Sequence, residues 1–512
     1  MSWIRPLPRT VTRPLTYLIV VAWVATMGTL VYRAYIAPTA ILAADLAKYG
    51  SSAQWKGIYY RGAKVGFSVG QTVALPDGGF ELQEDGQIEM TLLGAASSAR
   101  LHTSARVDQA FALRSFDFSM DPGTGAVRVH GTVDGTRLAL TIGTAAGERS
   151  QIVDLDEPPA LSLNLGRRLA AGKLIPGATY QWSVFDPATL RNTPMRVAVG
   201  AREIVRTGEV AIPAFRVEMA SAGLTITSWV TDTGEIVRED SPMGLITIRE
   251  SAQTAQAMAV SGRRRTDMLQ SAAVVPQMRG QIDDPRDVER LRLRLTGAQI
   301  PSADMDGVGQ RVDGDIVDIR SARTLRPGPV DPELARYTGP EPFIESDAPE
   351  IAAETARAVR GSTDPRETAE RLTRYVNALL DKKPTISLPS ARQVLATKIG
   401  DCNEHTVLYV AMARAAGLPA RIAVGLTFVS GAFYYHAWPE VWISESPARG
   451  YWLPVDPTLN QFPADGTHLR LVRGGLDQQA AILPLLGRLR MTVLDLEVTP
   501  GSAKVTVGAS RD

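Results

Sequence analysis

The first pattern along the chain is a period of two. In GAVRVHGTVDGTRLALTI, Gly125 to Ile142, the positions Val127, Val129 and Val133 point to one side and Arg128, His130 and Thr132 to the other. Asp134-Gly135 then supplies a two-residue turn ahead of Leu138, Leu140 and Ile142. IYYRGAKVGFSVG, TYQWSVFD, MRVAVG, FRVEMA and LTITSWVTDTGEIVRE repeat the theme. This alternation predicts a large antiparallel β domain over residues 50–252, curved or barrel-like, with one polar and one apolar face. Over 253–339 the pattern weakens. VERLRLRLTG and DGDIVDIR alternate like strands and RTLRPGPVDPELARYTGPEPF is a proline-rich connection, so a small β-module and linker are expected there. No repeat of solenoid or propeller length is visible.

After Pro340 the period changes to that of a helix. Ile351, Thr355 and Val359, then Ala369, Leu372, Val376, Leu379 and Leu380, recur at helical spacing, with Pro349 and Pro365 near the starts, where proline fits a first turn. SARQVLATKIG is a third, short helix. In GDCNEHTVLYVAMARAAGLPAR, Asp401 can cap a helix and Glu404 can close a capping box, while Gly417 and Pro419 end the run. ARIAVGLTFV, FYYHAWPEVWI and YWLPV then read as three strands. Helices followed by strands make 340–475 an α+β domain, with 476–512 a C-terminal extension.

Leu15 to Tyr32 is an 18-residue run without a charge. As a helix it spans roughly 27 Å, close to the hydrocarbon thickness of a bilayer. Arg5, Arg9 and Arg13 precede it and only Arg33 follows closely, which predicts a cytoplasmic N-terminus at 1–13 and a transmembrane helix at 14–33. The expected location is a single pass through the cytoplasmic (inner) membrane, with the bulk of the chain on the periplasmic or extracellular side. A cleaved signal peptide is the competing reading, but the run is long for one and AYIAPTAILAADLA holds no clean A-x-A site.

Composition narrows the functions. The 55 Lys and Arg balance 54 Asp and Glu in a chain of 512 residues, which leaves no basic excess for nucleic acid. The one cysteine, Cys402, cannot form an internal disulfide and is either core filling or chemistry.

Position favours chemistry. Cys402 falls in the first turn of a helix, where unpaired N–H groups and the macrodipole favour an anion, so a lowered thiol pKa is expected. A thiolate needs a base, and the base needs an orienting group. His436 and Asp456 lie at the start of the second predicted strand and the end of the third, and they meet if the hairpin between them centres on 446, within SESPARG. Cys402, His436 and Asp456 are thus compatible with a catalytic triad. Zinc held by Cys402, His405, His436 and Asp456 is the competing use, but Cys-x2-His at a helix start lacks the paired spacing of zinc modules, and no cofactor or metal is expected. His102 and His130 read as solvated strand residues without acidic neighbours in register. Gln393 is a candidate second oxyanion donor, with a solvated surface role as the alternative.

GDCNEH, RAAGLPARIAVG, YYHAWPEVWI and YWLPVDPT, in this order and followed by QFPADGTHLRL, resemble the transglutaminase-like superfamily in its bacterial form. The resemblance covers roughly residues 340–475. It implies a papain-like core, a triad of Cys402, His436 and Asp456, and a peptide or protein amide as substrate. It also implies that His468 and Asp465 line the cleft, against a plain turn role for ADGT. The β region resembles the extracytoplasmic N-terminal region of bacterial members and is the expected contact for a protein partner. The chain departs from the animal crosslinking enzymes in having no tryptophan between Trp229 and Trp438. The leading expectation is therefore a membrane-anchored thiol enzyme hydrolysing a peptide or isopeptide amide. A transglutaminase and a non-catalytic binding module are the alternatives.

Overall fold

The computed structural model describes residues 53–499, apart from 93, 173, 209, 222–223, 242–243, 258–266, 299–303, 308, 476–481, 483–484 and 486. The predicted span at 14–33 and the N-terminus before it lie outside the described residues. Among those described, no helix is long and apolar enough to cross a membrane.

The alternating segments form one antiparallel sheet of 14 strands between residues 54 and 250. It consists of two meanders, Gln54–Tyr60 through Gly147–Asp154 and Thr179–Asp186 through Leu245–Glu250, joined where the first strand pairs with the last. The inward residues are those of the period-two pattern: Val127, Val129, Leu138 and Leu140 share a buried core with Phe116 and Phe185. The helix Ser162–Ala171 lays Leu165 and Leu169 on Val197 and Val217 of the second meander. His102 and His130 correct an expectation. Each faces an acid on the neighbouring strand, Asp85 at 2.6 Å and Asp117 at 2.8 Å, because Asp85 pairs with His102 and Asp117 with His130 across the ladders. Cross-strand partners come from pairing between distant segments, which the alternation within one segment does not reveal.

A large β domain thus precedes an α+β core. The core is built around the helix Cys402–Ala415, whose residues from Glu404 to Arg414 are all buried. A helix buried on every face sits in the middle of its domain. The helices Pro349–Val359, Pro365–Leu379 and Ala391–Thr397 surround it on one side. On the other lies a five-stranded antiparallel sheet in the order Gly328–Pro329, Arg449–Pro454, Ala432–Ser446, Ala420–Val429, Leu469–Arg473. The strand Arg490–Val498 returns to pair with Val288–Thr296 in a separate four-stranded sheet, and both contribute to the same hydrophobic core as the central helix.

The two parts are joined by a loop. Residues 383–390 leave the α+β core, and Leu388 is buried in the apolar interior of the β domain beside Phe343, with Ile386 packed against it. The Ile386 N–H donates to Ser97 Oγ at 3.1 Å. Gln393 Nε2 donates to the Gly125 carbonyl at 2.6 Å, so the side chain considered for the oxyanion is spent on the contact with the β domain.

Candidate active site

Asp401 caps the helix that carries Cys402. Its carboxylate accepts from the Asn403 N–H at 3.0 Å, and the Glu404 side chain accepts from the Asp401 N–H at 2.8 Å, which closes the expected capping box. Glu404 can fold back this way because residue 400 is glycine: a Cβ there would lie 2.2 Å from the Glu404 Cβ. Thr385 Oγ1 donates to Glu404 Oε1 at 3.0 Å, and the Ser387 hydroxyl donates to the same oxygen. The loop anchored in the β domain by Ile386 and Leu388 therefore also holds the first turn of the helix. Neither Thr385 nor Ser387 stands in a motif, so periodicity carried no signal for them.

Cys402 is half-buried, and its sulfur hydrogen-bonds with the backbone of Ala437, the residue after His436. Thr406 Oγ1 donates to the Ala437 carbonyl at 3.1 Å. The start of the helix is thus fixed on the strand that carries the histidine. The expectation of a lowered thiol pKa is corrected here: burial pushes the Cys402 thiol well up, the Asp401 carboxyl beside it adds to the rise, and the Ala437 hydrogen bond opposes them. Asp401 is itself raised well above the ordinary carboxylate range by its burial and by Glu404. Desolvation and two neighbouring acids outweigh the helix start.

His436 Nε2 donates to Asp456 Oδ2 at 2.7 Å, with both residues buried. The hairpin behind this pair differs by two residues from the predicted register. Glu440 faces Pro454 and Trp442 faces Trp452, so the ladder centres on 447 rather than 446, and it ends before Asp456. A two-residue shift keeps the same face of the sheet. Asp456 then reaches His436 from the turn just beyond the strand, where it bridges to Gln461.

Asp456 binds a second imidazole. His468 Nε2 lies 3.1 Å from Asp456 Oδ2, and His468 Nδ1 lies 3.1 Å from Asp465 Oδ1 and 3.2 Å from the Asp465 carbonyl. The approach depends on Gly425, which pairs with His436 on one side and with Arg470 on the other. A Cβ at 425 would sit 1.9 Å from the Leu469 carbonyl oxygen, so only glycine lets the His468 segment come this close. Burial works to raise Asp456, but the charge and hydrogen bonds of His436 and the hydrogen bond of His468 hold it far below the ordinary carboxylate range. For His468, burial works downward, and Asp465 and Asp456 outweigh it, lifting the imidazole to about 10.

Of the four residues weighed as zinc ligands, only His436 and Asp456 bring their donors together. Among the described residues, the cluster with ligand-like spacing is His436, Asp456 and His468, whose donor atoms lie within 4.8 Å of one another. Both nitrogens of His468 face carboxylate oxygens and so both carry protons, which leaves no lone pair for a metal. His405 is buried. Its Nδ1 donates to the Asp401 carbonyl at 2.7 Å, and burial lowers its pKa.

A cleft of about 1190 Å³ runs along this region, bounded by Arg191 and Asn192 of the β domain, Tyr337 and Phe343 of the connection, and Asn403 and Thr406 of the central helix. It therefore reaches the residue next to Cys402.

The curated proteins give no match to this sequence. Residues 353–457 match the family model of the transglutaminase-like superfamily. The match supports a papain-like class of enzyme. Among solved structures, a proposed cysteine protease from Cytophaga hutchinsonii is similar at 13% identity, with a TM-score of 0.28, over 43% of this chain and 92% of its own. A β-barrel-like protein of the DUF1849 domain of unknown function from Brucella abortus is similar at 14% identity, with a TM-score of 0.30, over 38% of this chain and 94% of its own.

Proposed function

We propose that the protein is a membrane-anchored, extracytoplasmic thiol acyl-transfer enzyme that hydrolyses a peptide or isopeptide amide through Cys402, His436 and Asp456. The observation that carries this reading is the buried hydrogen bond of 2.7 Å from His436 Nε2 to Asp456 Oδ2, on a strand whose next residue, Ala437, bonds the only cysteine. With Nε2 committed to Asp456, Nδ1 of the neutral imidazole carries the lone pair and is the base.

Because its surroundings push the thiol up, Cys402 rests protonated rather than as a preformed thiolate. His436 takes the proton as the sulfur attacks the amide carbonyl. The Cys402 N–H, at the start of the helix, is the backbone donor offered to the developing oxyanion. The imidazolium, stabilised by Asp456, then protonates the leaving amine, and a thioester remains on Cys402. Water deprotonated by His436 attacks the thioester, the carbon–sulfur bond breaks to release the acid, and the imidazolium returns the proton to the Cys402 sulfur. The anchor is the uncharged run Leu15 to Tyr32 with its preceding arginines, which supports the extracytoplasmic placement.

The test is to mix the full-length chain with a digest of peptides, quench in acid and search for acyl adducts on the Cys402 peptide by mass spectrometry. Adducts that vanish in Cys402→Ala, with free acid as the main product, are expected. An added primary amine should divert only a minor share of product. Amine incorporation that dominates at millimolar amine would replace hydrolysis with transglutamination, and turnover unaffected by Cys402→Ala would remove the thiol from the chemistry.

A further inference from the structure

His468 enters the site without a part in the reaction as written, yet it occupies half of the Asp456 oxygen that orients the base. Its surroundings fix its charge by hydrogen-bond accounting. Asp456 Oδ1 accepts from the Leu459 N–H at 2.9 Å, and Oδ2 faces only the two imidazoles. Asp465 Oδ1 accepts from the Thr467 N–H at 2.9 Å and the Thr467 hydroxyl at 2.6 Å, and Oδ2 accepts from Gln461 Nε2 at 2.7 Å. Every neighbour of the two carboxyls is a donor, so both are ionised, and an imidazole lying between them must offer a proton to each. Trp438, buried, stands edge-on to the His468 ring with centroids 5.0 Å apart and excludes water from that side.

We propose that His468 is a positioning residue of the triad: a standing imidazolium, clamped between Asp456 and Asp465, that fixes the Asp456 carboxylate and shares its charge with His436. This rests on the proposed role of His436 as the base. The two rings are 5.9 Å apart, so the cation on His468 opposes a second one on His436. It also takes part of the hydrogen-bonding capacity of Asp456 Oδ2. Both effects limit the share of the Asp456 charge that acts on His436. The other titratable groups facing this cluster are Cys402 and His405 of the central helix, which both sense the Asp456 charge, with Asp401, Glu404 and Tyr435 around the thiol. None of these lies between His468 and its two carboxylates, so the pairing of His468 sets its own charge.

The experiment has two arms on the full-length chain. In the first, histidine-selective ¹⁵N labelling reads the five imidazoles. One, identified by its loss in His468→Gln, is expected to keep both ring nitrogens protonated at pH 8.5, where an unperturbed histidine is neutral. In the second, the rate of Cys402 alkylation by iodoacetamide is followed against pH. His468→Gln, which keeps a donor but loses the charge, is expected to move the midpoint of the rise upward by about one pH unit. Asp465→Asn, which loosens the clamp without touching Asp456, is expected to move it in the same direction by less. A neutral His468 at pH 8.5, or a midpoint unmoved by His468→Gln, overturns the proposal. Failure of the triad itself reads differently: there, His436→Ala leaves alkylation unchanged.

Discussion

Glu440 offers a sharp test of how the site is braced. It lies four residues beyond His436 on the same face of the strand, and it is buried. Its carboxylate accepts from Arg421 Nε at 2.8 Å and from Arg470 Nη1 at 2.5 Å, with Arg473 Nε at 3.7 Å. Arg470 stands two residues after His468, so this cluster ties the strand of the proposed base to the segment of the second histidine. Each ion pair at such a distance attracts by about 4–7 kcal/mol at an effective dielectric of about 20, and most of that offsets desolvation. Removing the one anion leaves buried guanidinium groups without their partner, a change that costs about 3–5 kcal/mol. Glu440→Gln should therefore lower the melting temperature by roughly 6–20 °C. The assay is thermal unfolding followed by tryptophan fluorescence, with Glu445→Gln on the exposed end of the same strand as control, expected within about 0.5 kcal/mol of wild type. The pH dependence has a definite sign. Burial works to raise Glu440, but Arg470 and Arg421 hold it far below the ordinary carboxylate range. Its contribution is thus full above the unfolded value of about 4.3 and is lost as pH falls toward the folded value. A Glu440→Gln shift no larger than that of Glu445→Gln would mean that this ion cluster does not brace the site.

Asp456→Asn should leave the protein folded and reduce turnover on the order of ten-thousandfold, the loss known for the equivalent change in a serine protease triad, with Cys402→Ala at least as severe. Near-wild-type turnover would remove Asp456 from the mechanism. Leu388→Ala opens a cavity in the core of the β domain and should cost about 2–5 kcal/mol. Because the same loop holds Glu404 through Thr385 and Ser387, it should also slow alkylation of Cys402, and an unchanged rate would mean that the loop does not brace the helix. An alkaline phosphatase reporter fused after residue 50 should be active only when exported, and cytoplasmic activity would sink the anchor.

The sequence exposes what local pattern determines. The capping box at Asp401 and Glu404 and the buried helix behind Cys402 follow from short-range spacing, and the strand Ala420–Val429 has the bounds that its apolar run suggests. The pairing of His436 with Asp456 was legible by parity alone. The hairpin centre was misplaced because the ladder is irregular between Ser444 and Ser446. Three features depend on chain segments meeting in space and leave no periodic trace. The return of His468 to Asp456 needs the close approach at Gly425. The bracing of Glu404 comes from an irregular loop whose apolar residues point into another core. The raised thiol reflects burial and the charge of Asp401, which a helix start alone does not report.

The proposed function requires Cys402 to be a nucleophile activated by His436. Because the chain has one cysteine, iodoacetamide uptake measured by intact mass reports that thiol alone. Comparing wild type with His436→Ala from pH 6 to pH 10 tests the claim directly. The wild type should be alkylated near neutral pH at a rate that falls by about a hundredfold or more in His436→Ala, as loss of a positioned base requires. Equal rates in the two proteins, or a Cys402 that stays inert across the whole range, would contradict the claim.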